Sequence, residues 1–210
     1  MIIFKRIKDA ILLLKANRAV RLNISLLFGS ALNFAYIAGN IASAFMYQSI
    51  WSATVTVYHL MLIIIRVYLL SSRDASVVDE KADRVCLRVG VLLLLLDLAS
   101  AFMMIYTIRQ QSFVRYSGLI FLGFLIYAAY SVTSSLLAMK KHSNDNRRLH
   151  FAAKCITLST SLMSVFNLQY SIFSILGADA RLTGRIILLG GILIFSVILS
   201  LSVRLIKSSR

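Results

Sequence analysis

Six stretches of this chain are long and apolar enough to cross a lipid bilayer, and that feature limits the folds open to it. They cover about 22–46, 51–70, 87–107, 114–139, 152–176 and 186–206. A hydrocarbon core about 30 Å thick takes roughly 20 residues of α-helix. No water inside it can satisfy a backbone N–H or C=O, so such segments must be helices that close their own hydrogen bonds. The expected fold is all-α, a polytopic transmembrane helical bundle with residues 1–210 forming one integral membrane domain. At 59% hydrophobic and 15% charged residues, nothing is left over for a sizeable soluble domain.

Charge then orients the spans. Of the 23 Lys and Arg residues, only Arg109, Arg115, Arg181 and Arg185 fall on one side; the rest lie in the N-terminal segment, the second and fourth loops with their flanks, and the C-terminus. The positive-inside rule places both termini in the cytoplasm, and the expected location is the plasma membrane. The net charge of +15 is therefore topological. Its cations sit between apolar blocks rather than on one soluble face, so no nucleic acid partner is expected.

Residues 2–20, "IIFKRIKDAILLLKANRAV", set Ile3, Ile7, Ala10 and Leu14 on one helical face, with Lys5, Lys8, Asp9 and Lys15 around the other. This pattern predicts an N-terminal interfacial amphipathic helix over 1–21, its lysines on anionic headgroups of the cytoplasmic leaflet. A cleavable signal would need an uninterrupted apolar run and a small-residue cleavage site. Arg66, near the cytoplasmic end of the second span, is a further candidate lipid contact by snorkelling. Trp51 opens that span and is expected at the outer interface with its indole N–H wet.

Proline is absent, so straight helices are expected rather than the broken ones from which many transporters build a substrate site. Gly29, Gly39, Gly190 and Gly191 remain as points where a helix could weaken. Cys86 and Cys155 start two different helices without a metal-ligand spacing, and read as reduced structural thiols.

Polar groups in hydrocarbon cost several kcal/mol unless partnered, which makes them pointers to packing or to function. "SALNFAYIAGN", residues 30–40, carries Asn33, Tyr36 and Asn40 on about a third of one helix's circumference. "SVFNLQY", residues 164–170, repeats the Ser-x-x-Asn-x-x-Tyr pattern with Asn167 and Tyr170. A shift of 134 also aligns Ser25 with Ser159 and Ala44 with Ala178, a faint parallel repeat of the first and last hairpins. His59 and Asp97 fall at matching depth on consecutive antiparallel spans. A contact between them is expected, so that replacing His59 with Leu beside an intact Asp97 destabilises the protein. Ser52, Thr56, His59 and Arg66 share one face of the second span and could line a hydrated path. The fifth span is rich in hydroxyls, which serve close helix packing equally well.

"LNFAYIAGNI", Trp51 with "VYHLMLIIIRVYLL" at 57–70, and "FNLQYSIFSILG" resemble a group of small uncharacterised multi-pass membrane proteins of Gram-positive anaerobic bacteria. Members of that group tend to carry Asn-x-x-Tyr in the first long helix, aromatics and an Arg in the next, and an amide-rich patch in the fifth. Here His59 stands where the group more often has a second aromatic. The resemblance implies a multi-pass membrane fold and brings no activity with it.

Two classes of function stay open. The favoured one is a non-catalytic membrane subunit or interaction protein, with a membrane protein partner, whose midplane polar layer sets helix register. The alternative is a small-solute or ion transporter or channel-like protein, proton-linked through Asp97 and His59, with Asn33 and Asn167 coordinating the solute. An enzyme acting on lipid ranks behind both. Gly-x-Ser-x-Gly, His-Glu-x-x-His and phosphate-cradling glycine loops are missing, and His142 and His150 lie among basic residues. No catalytic residue, metal or cofactor is expected. A tightly packed midplane, each amide bonded to a neighbouring helix, separates the first class from the second, which requires a hydrated cavity.

Overall fold

Residues that must hide their backbone from hydrocarbon form helices end to end here. The computed structural model describes the backbone of residues 18–72, 79–110, 113–114, 116–141, 148–176 and 179–208, with side chains from Leu32 onward except at 70, 79–81, 138–141 and 148–150. Its elements are six helices, α1 (Arg18–Tyr47), α2 (Ile50–Ser71), α3 (Asp79–Arg109), α4 (Gly118–Lys141), α5 (Arg148–Leu176) and α6 (Ala180–Ser208), and the described residues hold no strand. Five of them, over Ile50–Leu69, Ala82–Arg109, Gly118–Leu137, Phe151–Leu176 and Ala180–Ser208, are long and apolar enough to cross a membrane. The interfacial segment expected over 1–21, with Lys5, Lys8 and Lys15, falls almost wholly on residues 1–17, outside the described residues.

The chain divides into two units, Met1–Ala35 and Tyr36–Arg210. The described part of the first is the N-terminal portion of α1. The second holds the rest of α1 and all of α2 to α6. Within it α5 is central, packing on α2, α3, α4 and α6, while α3 also packs on α2 and α6. The outward faces are hydrocarbon: Leu119 is 83% and Phe45 81% exposed, with some thirty more large apolar side chains turned out. Water does not tolerate so much contiguous apolar surface on a monomer; lipid does.

Local chemistry sets the helix ends. At the α1–α2 turn Gln48 takes a positive φ of 48° and the Ser49 N–H donates to the Ala44 carbonyl (3.2 Å), a Schellman closure of α1. Ser49 then caps α2, its Oγ accepting from the Ser52 N–H (3.2 Å). Asp179 caps α6, accepting from the Arg181 N–H (3.4 Å).

Boundary differences fall where apolar runs and helices part company, and besides those below, α6 begins at Ala180, six residues before the span expected from Ile186. α3 begins at Asp79, eight residues before the span expected from Leu87, because "DEKADRV" continues the helix beyond the apolar run. α4 begins at Gly118 rather than Val114, and Phe113 and Val114 belong to the connection before it.

Glycines seat neighbouring helices instead of breaking them. α6 runs unbroken through Gly190 and Gly191, which lie beneath Gln169 of α5 and beneath Met104 and Phe166, respectively. Gly90 of α3 meets α6: a Cβ there would stand 2.8 Å from Ile206 Cγ1 and 3.3 Å from the Ser202 carbonyl. Without a hydrophobic drive between helices in lipid, this close backbone approach is a main source of packing energy. Gly90→Ala is expected to cost about 1–3 kcal/mol by overpacking. Gly123→Ala, which meets nothing within 4 Å, should be neutral or gain up to about 1 kcal/mol of helix propensity. Unfolding of both variants in mixed micelles checks the contrast.

Candidate functional site: an amide and aromatic layer

The polar residues of α1 and α5 meet on the Asn167 side chain, which is fully buried on the central helix. Its Oδ1 accepts from the Trp51 indole N–H (2.9 Å). Because an indole nitrogen can only donate, this bond fixes which way the amide faces. The Nδ2 group then donates to the Tyr36 hydroxyl (2.7 Å) and toward Asn40 Oδ1 (3.4 Å). The Asn40 amide nitrogen donates in turn to the Tyr36 carbonyl one turn back (2.9 Å). One side chain of α5 thus holds α2 by one bond and the second half of α1 by two.

Rings enclose this network. Tyr36 stacks on Tyr127 of α4 with centroids 3.9 Å apart and planes at 15°, and it meets His59 at 4.8 Å and Phe124 at 5.5 Å. Trp51 lies edge-on to Phe166 at 5.2 Å and 5.4 Å from Tyr170. The Tyr170 hydroxyl hydrogen-bonds Ser174 and the Val114 backbone, joining α5 to the α3–α4 connection. Asn167 stands nine residues before the end of α5 and Asn40 seven before the end of α1. The layer therefore lies about 10–14 Å in from the end of the bundle that bears the α1–α2 turn.

A second tier closes that end. The Ser52 and Tyr116 hydroxyls are 2.9 Å apart, and the Ser117 N–H donates to the Tyr47 hydroxyl (3.1 Å). Burial holds the Tyr116 phenol above its ordinary pKa, while hydrogen bonds from Ser52 and Ser49 pull the other way. At the opposite side of α5, Ser161 bonds both Ser135 and Ser131, drawing α4 close. Most other hydroxyls of α5, such as Thr157, Thr160, Ser171 and Ser174, return to the carbonyl four residues back. They serve packing within lipid and not a hydrated path.

Of the residues singled out in sequence, Tyr36, Asn40, His59, Asn167 and Tyr170 come together in this layer. Asn33 falls in the first unit, a turn before Tyr36 on α1. Asp97 stands apart from the layer, and the expected His59–Asp97 contact does not form. His59 Nδ1 lies 2.9 Å from the Val55 carbonyl, an acceptor, so Nδ1 carries the proton and Nε2 is left buried without a hydrogen bond. Asp97 Oδ1 is buried and unpartnered too, and its electrostatic neighbour is Tyr58. The reason lies in rotation: equal depth does not bring two side chains to the same azimuth, and the His59 ring turns to Tyr36. The face of Ser52, Thr56 and His59 is buried against rings and its own carbonyls, which rules out the hydrated path drawn from it. Trp51, expected at a wet interface, is 1% exposed. Arg66 is half-buried, within electrostatic reach of Tyr127 and Tyr130. Both cysteines are buried, and neither forms a disulfide.

Tyr127, Tyr116 and Tyr58 were missed. Each sits in an apolar or loop stretch with no amide nearby, and a lone tyrosine there reads as hydrocarbon. Among the described residues no group of three His, Cys, Asp or Glu side chains gathers to hold a metal.

The described fold is an all-helical bundle in which five helices are long and apolar enough to cross a membrane, the composition of a membrane protein. No family model matches the chain, and neither a curated protein nor a solved structure matches it.

Asn167→Leu takes the partner from the Trp51 indole N–H, the Tyr36 hydroxyl and, over a longer bond, Asn40 Oδ1, and is expected to cost about 2–4 kcal/mol, at about 1–2 for each of the two short bonds. Trp51→Phe, which removes one bond and some ring volume, should cost less than Asn167→Leu. A double-mutant cycle on unfolding in mixed micelles should return a coupling of about 1 kcal/mol between the two positions. Additive losses would mean that the bond contributes nothing.

Proposed function

We propose that this protein is a non-catalytic, six-span membrane subunit or interaction protein, with α1 as the sixth span and both termini in the cytoplasm. The observation that carries the proposal is the saturation of Asn167: its acceptor and both donors go to Trp51, Tyr36 and Asn40, on two neighbouring helices. A solute-coordinating amide needs a free donor or acceptor facing a cavity, and this one has neither. The 30 residues of α1 span about 45 Å as a helix, more than a bilayer core requires. The cation bias toward the ends of α1, α2, α4 and α6 supports the orientation, with Lys5, Lys8, Lys15 and Arg66 meeting anionic headgroups there. Its partner is another membrane protein, met through the exposed apolar faces.

A second reading rests on a different observation. Asp97 Oδ1 and His59 Nε2 are both buried and unpartnered, as the protonatable groups of a proton-linked transporter would be between loaded states.

Reconstitution in liposomes with an internal pH dye decides between them. The subunit reading expects proton permeability equal to that of protein-free liposomes, and no change on Asp97→Asn. A proton flux abolished by Asp97→Asn in a folded variant would overturn it in favour of the transporter. Reporter fusions at each terminus should both read cytoplasmic.

A further inference from the structure

Between the first turns of α2 and the last turns of α3 the packing fails locally, and the failure has a shape. Three small side chains, Ala53 on α2 with Ala99 and Ser100 on α3, meet where larger ones would close the gap. They leave a cavity of about 320 Å³, within the range of small-molecule sites. Leu96 and Val57 complete an apolar wall, and Val57 is 52% exposed, so the mouth opens on a face that meets lipid.

The inner wall is Tyr58, and there the chemistry changes. Tyr58 is 1% exposed and its hydroxyl has no hydrogen-bond partner. Asp97 follows the lining residue Leu96 on α3 without itself lining the cavity, and is within electrostatic reach of Tyr58. It is 2% exposed, Oδ1 is unpartnered, and no described Lys, Arg or His makes an ion pair with it. Asp97 is also the one acidic residue deep inside a membrane-capable helix of this strongly basic chain. A carboxyl and a phenol left unbonded in hydrocarbon each carry a standing cost that a donor would relieve. Helix register does not use them: the bonds of Asn167 are complete without either.

We infer that the cavity between α2 and α3 binds an amphiphile with a compact apolar body and a cationic, hydrogen-bond-donating head, the body between Ala53, Val57 and Ala99 and the head toward Ser100, Tyr58 and Asp97. Three features select that class. The apolar wall and lipid-facing mouth favour a ligand that arrives from the bilayer. The orphaned Tyr58 hydroxyl on the lining and the Asp97 carboxylate within its electrostatic reach put the unmet polar chemistry in one place, which asks for a single polar end. The carboxyl distinguishes an ammonium from a neutral alcohol of the same shape. This goes beyond the subunit proposal and does not rest on it, since the residues involved are not those of the layer.

The probe is tritiated 1-aminoadamantane, an ammonium on a compact apolar cage, with the full chain in phosphatidylcholine nanodiscs and empty nanodiscs subtracted for partitioning. Saturable binding is expected, displaced by unlabelled 1-aminoadamantane at least tenfold more effectively than by the neutral isostere 1-adamantanol. Asp97→Asn should weaken binding at least tenfold. Ala99→Phe, which fills the cavity from an exposed position, should abolish it, and Ala53→Phe repeats that test from the α2 wall should the first variant not fold. Asn167 variants that remain folded should bind as wild type. Equal displacement by the alcohol, undiminished binding in folded Asp97→Asn, or only non-saturable uptake would each overturn the inference.

Discussion

The Asn167 amide is the interaction on which the arrangement of this bundle depends. In lipid, one helix gains little hydrophobic energy by leaving hydrocarbon for another helix, so association has to come from close fit and directional bonds. Asn167 supplies the direction. It sits on the helix that touches α2, α3, α4 and α6, and its three bonds reach α1 and α2. Since the indole can only donate and the amide nitrogen can only donate, the three bonds are compatible in one orientation alone. Rotating either partner helix by a residue would leave at least two buried polar groups unpaired.

Close fit does the rest. Where bonds are few, small residues let backbones approach: Gly90 under Ile206, Gly191 under Met104 and Phe166, and the serines 131, 135 and 161 between α4 and α5. Where α1 meets the bundle the opposite solution is used, with Tyr36, Tyr127 and His59 as wide spacers whose polar tips are handled individually. The two solutions give a tight seating among α3, α4, α5 and α6 and an aromatic flank where α1 meets α2 and α4.

Against that background the polar groups fall into two kinds. Those of the layer are satisfied apart from His59 Nε2, which is enclosed by rings, and explain themselves as architecture. Tyr58 and Asp97 are unsatisfied, sit beside a gap in the packing, and contribute nothing visible to register. Retaining them carries a cost that architecture alone does not account for. That contrast, more than the presence of an acid in a membrane helix, singles out the α2–α3 cavity.

Much of the fold was legible in the chain, and the reason is physical. Hydrocarbon obliges every apolar run to become a helix, so hydropathy gives six spans without any tertiary information, five of which are helices long and apolar enough to cross a membrane; matched depth groups Asn33, Tyr36, Asn40, His59, Asp97, Asn167 and Tyr170, of which Tyr36, Asn40, His59, Asn167 and Tyr170 come together. Depth is a one-dimensional quantity, which sequence carries. Azimuth is not: it decides that His59 turns to Tyr36 and away from Asp97, and that Trp51 points inward to Asn167 instead of out to water. Aromatic partners such as Tyr127 and Tyr58 were invisible for a related reason, since a ring in an apolar run looks the same whether it faces lipid or an amide. The chain itself determined the helices and the level at which its polar groups lie; only packing in three dimensions decided which of them meet, because each bond depends on the rotation of two helices at once.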